Sequence, residues 1–92
     1  MRRNRFEQVD EPQSDAITLI LVRREGETFG TVTCPSQLTG MRLPEGASSD
    51  EMGGIEAFRS AIRLANEMKA PIVVIDAEGG WMAEWGDLYR DV

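Results

Sequence analysis

Three patterns of apolar and polar positions organise the chain. The clearest lies between residues 48 and 75, where an amphipathic stretch stops at Pro71 and four uninterrupted apolar residues follow, Ile72, Val73, Val74 and Ile75. At ~100° per residue, Ile55, Ala57, Phe58, Ala61, Ile62, Leu64, Ala65 and Met68 share one half of a helical cylinder, and Glu56, Arg59, Ser60, Arg63, Asn66 and Glu67 share the other. Lys69, in the last turn, falls on the apolar side, where its stem can lie on apolar surface while its charge meets the negative helix end. Ser48 and Glu51 have capping-box spacing, with Ser49 and Asp50 as alternative caps. Gly53 and Gly54 weaken the first turn, so the regular helix is expected to start near Gly54. Pro71 disfavours helical geometry at Ala70 and lacks an amide proton. The β-branched run after it suits a central strand covered on at least one face by the helix.

The second pattern is a hairpin. Residues 16–24 are rich in Ile, Leu, Val and Thr, Glu25, Gly26 and Glu27 supply turn chemistry, and residues 28–34 read as a second strand. Ile17, Leu19 and Leu21 share one face; Thr18, Ile20 and Val22 share the other. Neither face is polar, so this strand is expected to be internal, or to have its outer face covered by a second copy of the chain. Pro35 ends the hairpin and opens a connection over residues 35–47. Leu38, Met41 and Leu43 can tack it over the core, while Gly40, Pro44 and Gly46 keep it irregular. Without a charged constellation, it reads as a packing segment in preference to an active-site lid.

The third pattern follows the central strand. Asp76, Ala77, Glu78, Gly79 and Gly80 give a turn signal, after which Trp81, Ala83 and Trp85 fall on one face of an extended segment. An antiparallel hairpin with residues 72–75 is expected. Trp81, Trp85 and Leu88 also recur at helical intervals, the competing reading, which Gly86 interrupts. The sequence therefore predicts an α+β fold of β-β-α-β(-β) order, a two-layer sandwich with one amphipathic helix on a mainly antiparallel three- or four-stranded sheet. Residues 1–15 read as a disordered tail, residues 16–86 as a single domain and residues 87–92 as a C-terminal tail. This element order resembles that of HicB-like antitoxin domains and several small bacterial domains; the likeness is architectural and carries over no site residue.

Composition narrows the chemistry. A chain of 92 residues with one cysteine and no histidine can build neither an imidazole-based triad nor a His- or Cys-cluster metal site. The lone Cys34 cannot form an internal disulfide, which fits a reducing compartment. No apolar run approaches the ~18 residues of a spanning helix, and no cleavage pattern follows residues 16–22, so a soluble, cytoplasmic protein is expected. The net charge of −6 disfavours nucleic acid and anionic membrane as partners. Arg2, Arg3 and Arg5 make the start basic, either as part of the tail or as an arm that orders on a partner.

Few residues invite a functional reading. Asp76, Glu78 and Glu84 are weak candidates for a divalent cation, since hard cations need converging oxygens, but turn acids facing water explain them as well. Cys34 lacks a nearby base or cation to favour its thiolate. The helix start at Ser48, Ser49, Gly53 and Gly54 could bind an anion, against which Asp50 and Glu51 stand. Trp81 and Trp85, with Phe29 and the outer-face Ile20 and Val22, are interface candidates, because large rigid side chains dominate binding hot spots; core closure is the alternative for the tryptophans. No catalytic residue and no cofactor is indicated. The sequence thus points to a non-enzymatic protein-binding or regulatory module whose partner is a second copy or another protein, the homodimer forming through its sheet. The alternative is a small metal-dependent enzyme or cation-binding protein using the three carboxylates.

Overall fold

The computed structural model describes residues 5–13, 15–34, 47, 48 and 51–90. In chain order the elements are β1 (Arg5–Gln8), β2 (Ile17–Arg24), β3 (Glu27–Cys34), β4 (Ala47–Ser48), β5 (Met52–Gly53), α1 (Gly54–Met68), β6 (Ile72–Ile75) and β7 (Asp87–Tyr89), with a 3-10 turn at Ala83–Trp85 before β7. Among the described residues the outcome is an α+β arrangement of one helix on one mixed sheet, larger than the sequence predicts.

The hairpin forms as expected. β2 and β3 pair antiparallel through a turn whose Glu25 and Gly26 both take positive φ. Hydrogen bonding orders the sheet β4-β3-β2-β6-β1-β7, with β5 also paired to β3. β2 is internal, and β6 lies centrally between β2 and β1. The pairs β2–β6, β6–β1 and β1–β7 are parallel, whereas β3 runs against β2, β4 and β5. The expectation of a mainly antiparallel sheet is therefore corrected, because the strands that join β6 come from distant parts of the chain.

Both tails contribute strands. Arg5–Gln8, read as part of a disordered tail, inserts between β6 and β7 and buries Phe6. Asp87–Tyr89, read as the C-terminal tail, forms the edge beside it. Backbone pairing on both sides of β1 offsets the ordering entropy that its side chains alone could not. Parallel neighbours need crossovers, and besides the passage through α1 to β6 the described residues show two more. Residues 9–13, 15 and 16 lead from β1 past β6 to β2 on the face away from α1, where the Gln13 backbone amide donates to Thr18 Oγ1 at 3.4 Å. Residues 76–86 travel from β6 past β1 to β7 on the α1 side. Reversing both direction and face leaves the hand unchanged, so the two crossovers share one hand, as right-twisted strands require.

The helix begins at Gly54, but the predicted capping box does not form. Ser48 and Met52–Gly53 are held extended by pairing with β3, so Gly53 becomes the N-cap without a side-chain hydrogen bond. At the other end Lys69 adopts left-handed geometry, its amide bonded to the Ala65 carbonyl. Gly54, Ala57, Ala61 and Ala65 form the buried line of α1, which lies chiefly over β3 and β2. Ile55 departs from the predicted apolar half. It sits ~120° round from Ala61 and is 48% exposed.

Residues 81–85 form neither the predicted strand nor a full helix. The Asp76 carboxylate accepts from the Gly80 amide at 2.7 Å and the Trp81 amide at 2.9 Å, which directs the chain over the sheet instead of back along β6. A single 3-10 turn follows, and Gly86 at φ 131° swings the chain into β7. The connection over residues 35–46, with Leu38, Met41 and Leu43, lies outside the described residues, as do Arg2 and Arg3. No helix among the described residues is long and apolar enough to cross a membrane.

Candidate functional site

Strand alternation sorts the interface candidates onto opposite faces of the sheet. Ile17, Leu19 and Leu21 on β2, Val32 on β3 and Val74 on β6 point toward α1 and are buried. Their neighbours point the other way. Ile20 and Val22 on β2, Phe29 and Thr31 on β3 and Ile75 on β6 therefore share the face opposite the helix, tied into one patch by the registers Val22 with Phe29, Ile20 with Thr31 and Ile20 with Ile75. All five are half-buried. The Arg24 guanidinium lies 5.0 Å from the Phe29 ring centroid and closes one end of the patch. At the other end Thr18 and Val73 are buried, Thr18 accepting from the Gln13 backbone amide. Ile75 was not singled out in the sequence; only its register with Ile20 assigns it here.

Trp81 and Trp85 are on the helix side. Trp85 stacks on Phe58 with ring centroids 4.8 Å apart and planes 5° apart, and Trp81 meets Trp85 edge to face at 5.1 Å. Phe6 joins at 5.2 Å from Trp81 and 5.7 Å from Phe58. Such pairs contribute ~0.5–1.5 kcal/mol each beyond the area they bury. The Trp81 indole N–H donates to the Gly86 carbonyl at 3.1 Å. The tryptophans thus close the core above β1 together with Phe58 of α1, and they are separated by the sheet from Ile20, Val22 and Phe29.

The acidic candidates do not converge. Asp76 is buried with its carboxylate spent on the two backbone amides, while its own carbonyl accepts from Gln8 Nε2 at 3.1 Å. Glu78 and Glu84 are exposed, and among the described residues no three acidic or cysteine side chains are grouped to hold a cation. Cys34 is buried at the end of β3, where desolvation raises its thiol pKa from 9.0. That direction disfavours the thiolate a nucleophile needs.

Two of the surface concavities bear on a binding role. A cleft of about 760 Å³ lies beside the start of β1 and β6, lined in part by Arg5, Glu7, Gln13, Asp15 and Tyr89. Ligands of parallel sheets collect at the carboxyl ends of strands, the opposite end from this cleft. The Arg5 guanidinium stacks 4.5 Å from the Tyr89 ring centroid at its rim. A smaller groove of about 410 Å³ runs between the start of α1 and residues 82–85, walled by Thr28, Ile55, Glu56, Met82 and Trp85. Met82 was not flagged by sequence, since an isolated apolar residue between two tryptophans carries no period of its own.

Compared with protein-family models, with curated proteins and with solved structures, the chain matches none.

Proposed function

We propose that this protein is a non-enzymatic binding module that works through the sheet face opposite α1, and that its partner there is a second copy of the chain. The observation behind this reading is the contiguous patch of Ile20, Val22, Phe29 and Ile75. Parallel strands normally have both faces covered, and here β2 and β6 have a helix on one face only among the described residues. Apolar surface left on the second face favours association, since each Å² removed from water contributes about 25 cal/mol before the costs of binding. Two such faces can stack ~10 Å apart, as paired sheets do, and a stable pair needs about 800 Å² per partner.

Light scattering across a concentration series tests the reading. The wild type should move from one toward two chain masses, and Val22→Glu should stay at one with its fold intact by circular dichroism. A wild-type mass of one chain at every concentration would remove the homodimer.

A further inference from the structure

We propose that the groove between the start of α1 and residues 82–85 is a docking site for a basic segment of a partner protein, one that seats a single aliphatic side chain between flanking lysines or arginines. The site is independent of the sheet face described above and lies on the other side of the molecule.

Ile55 is 48% and Met82 39% exposed, and with Tyr89 they are the large hydrophobic residues most open to water among those described. Single exposed apolar residues are ordinary. These two, however, border the same groove and share it with Trp85, the residue type most enriched where binding energy concentrates. The walls are fixed before anything binds. Trp85 is stacked on Phe58, and a Cβ on either Gly54 or Gly80 would come within 2.9 Å of Thr28 Cγ2, so two backbone segments press on that one wall residue. Such rigidity lowers the ordering cost of binding.

Charge selects the occupant. Glu56 is the charged side chain lining the groove. Glu84 directly precedes Trp85, and no basic side chain is among the described residues that line the groove. A segment bearing Lys or Arg beside its apolar anchor is drawn to this rim, and an acidic one is repelled. The first turn of α1 has no side-chain cap at Gly53, so its amides can donate to the carbonyls of an extended segment lying across the groove.

The test uses the full chain with labelled Ile and Met methyl groups, titrated with acetyl-Lys-Lys-Leu-Lys-Lys-amide and with the same peptide carrying Glu in place of Lys. The basic peptide should shift the Ile55 and Met82 methyl signals and the Trp85 indole signal saturably, and the acidic peptide should bind about tenfold more weakly or not at all. Ile55→Gln, at an exposed position, should keep the wild-type melting temperature and weaken binding about tenfold; Met82→Gln provides a second variant should the first not fold. Glu56→Lys should weaken the basic peptide several-fold and strengthen the acidic one. Equal binding of both peptides, insensitivity to these substitutions, or no shift at millimolar peptide would overturn the proposal. So would shifts confined to Ile20 and Ile75, which would assign the peptide to the sheet face.

Discussion

Gly30 and Ala57 touch so closely that a Cβ added at Gly30 would lie 2.5 Å from the Ala57 Cβ. This contact sets the height of α1 above the sheet, because both groups are fixed to backbone and neither can rotate away. Gly30→Ala should therefore lift the helix and loosen the neighbouring contacts of Leu21, at a cost of about 1–3 kcal/mol. A lower denaturant midpoint with an unchanged slope checks it. A variant as stable as the wild type would show that the helix does not rest on that position.

Asp76 organises the crossing from β6 to β7. Replacing it with Ala leaves the Gly80 and Trp81 amides without their acceptor, at about 1–3 kcal/mol for each buried donor. Trp81 should then lose its fixed place against Phe6 and Phe58, and tryptophan emission should shift to the red. Asp76→Asn keeps one oxygen but aims an NH₂ at the second amide, so it should fall between wild type and Asp76→Ala in a thermal melt.

Among the elements that sequence periodicity could not show are β1 and β7. Phe6 is the buried side chain of β1, and its pairing partners, near Val73 and Leu88, are far away along the chain. A four-residue strand with one apolar contact leaves no local signature; its stability comes from backbone pairing on both sides. The hairpin of β2 and β3, the helix and β6 were legible because each carries its own period or run. The capping box at Ser48 failed for a related reason: the edge of β3 claims those backbone groups before the helix can begin. At the candidate site, alternation along β2 correctly separated Ile20 and Val22 from Leu19 and Leu21. It could not place Trp81 and Trp85, whose side of the sheet depends on where the crossover passes.

Removal of residues 1–8 follows as a prediction. Without β1, β6 loses a neighbour and β7 loses its only pairing partner among the described strands, and the aromatic cluster loses Phe6. The truncated chain should be largely unfolded. Phe6→Ala alone should cost about 3–5 kcal/mol, read by urea denaturation. A truncated chain with full cooperativity and wild-type stability would contradict the account of β1.

Burial of Cys34 raises its pKa in the folded protein, so in alkaline solution the folded state holds the thiol proton more tightly than the unfolded state does. By linkage, this group leaves stability unchanged below the ordinary thiol value and lowers it as pH rises above that value. Urea midpoints measured from neutral to strongly alkaline pH should fall less for Cys34→Ser than for the wild type. Iodoacetamide should label Cys34 at the rate of opening, slowed wherever denaturation is suppressed.

The association of two chains through the face of Ile20, Val22, Phe29 and Ile75 is the central claim. Its most direct test is the NMR rotational correlation time of the labelled protein at a low and a high concentration, with the methyl signals of these residues followed. The account predicts a value that rises beyond that of a 10.2 kDa body, with shifts concentrated at Ile20, Val22 and Ile75. A correlation time of one chain at both concentrations, with those signals unmoved, would contradict it.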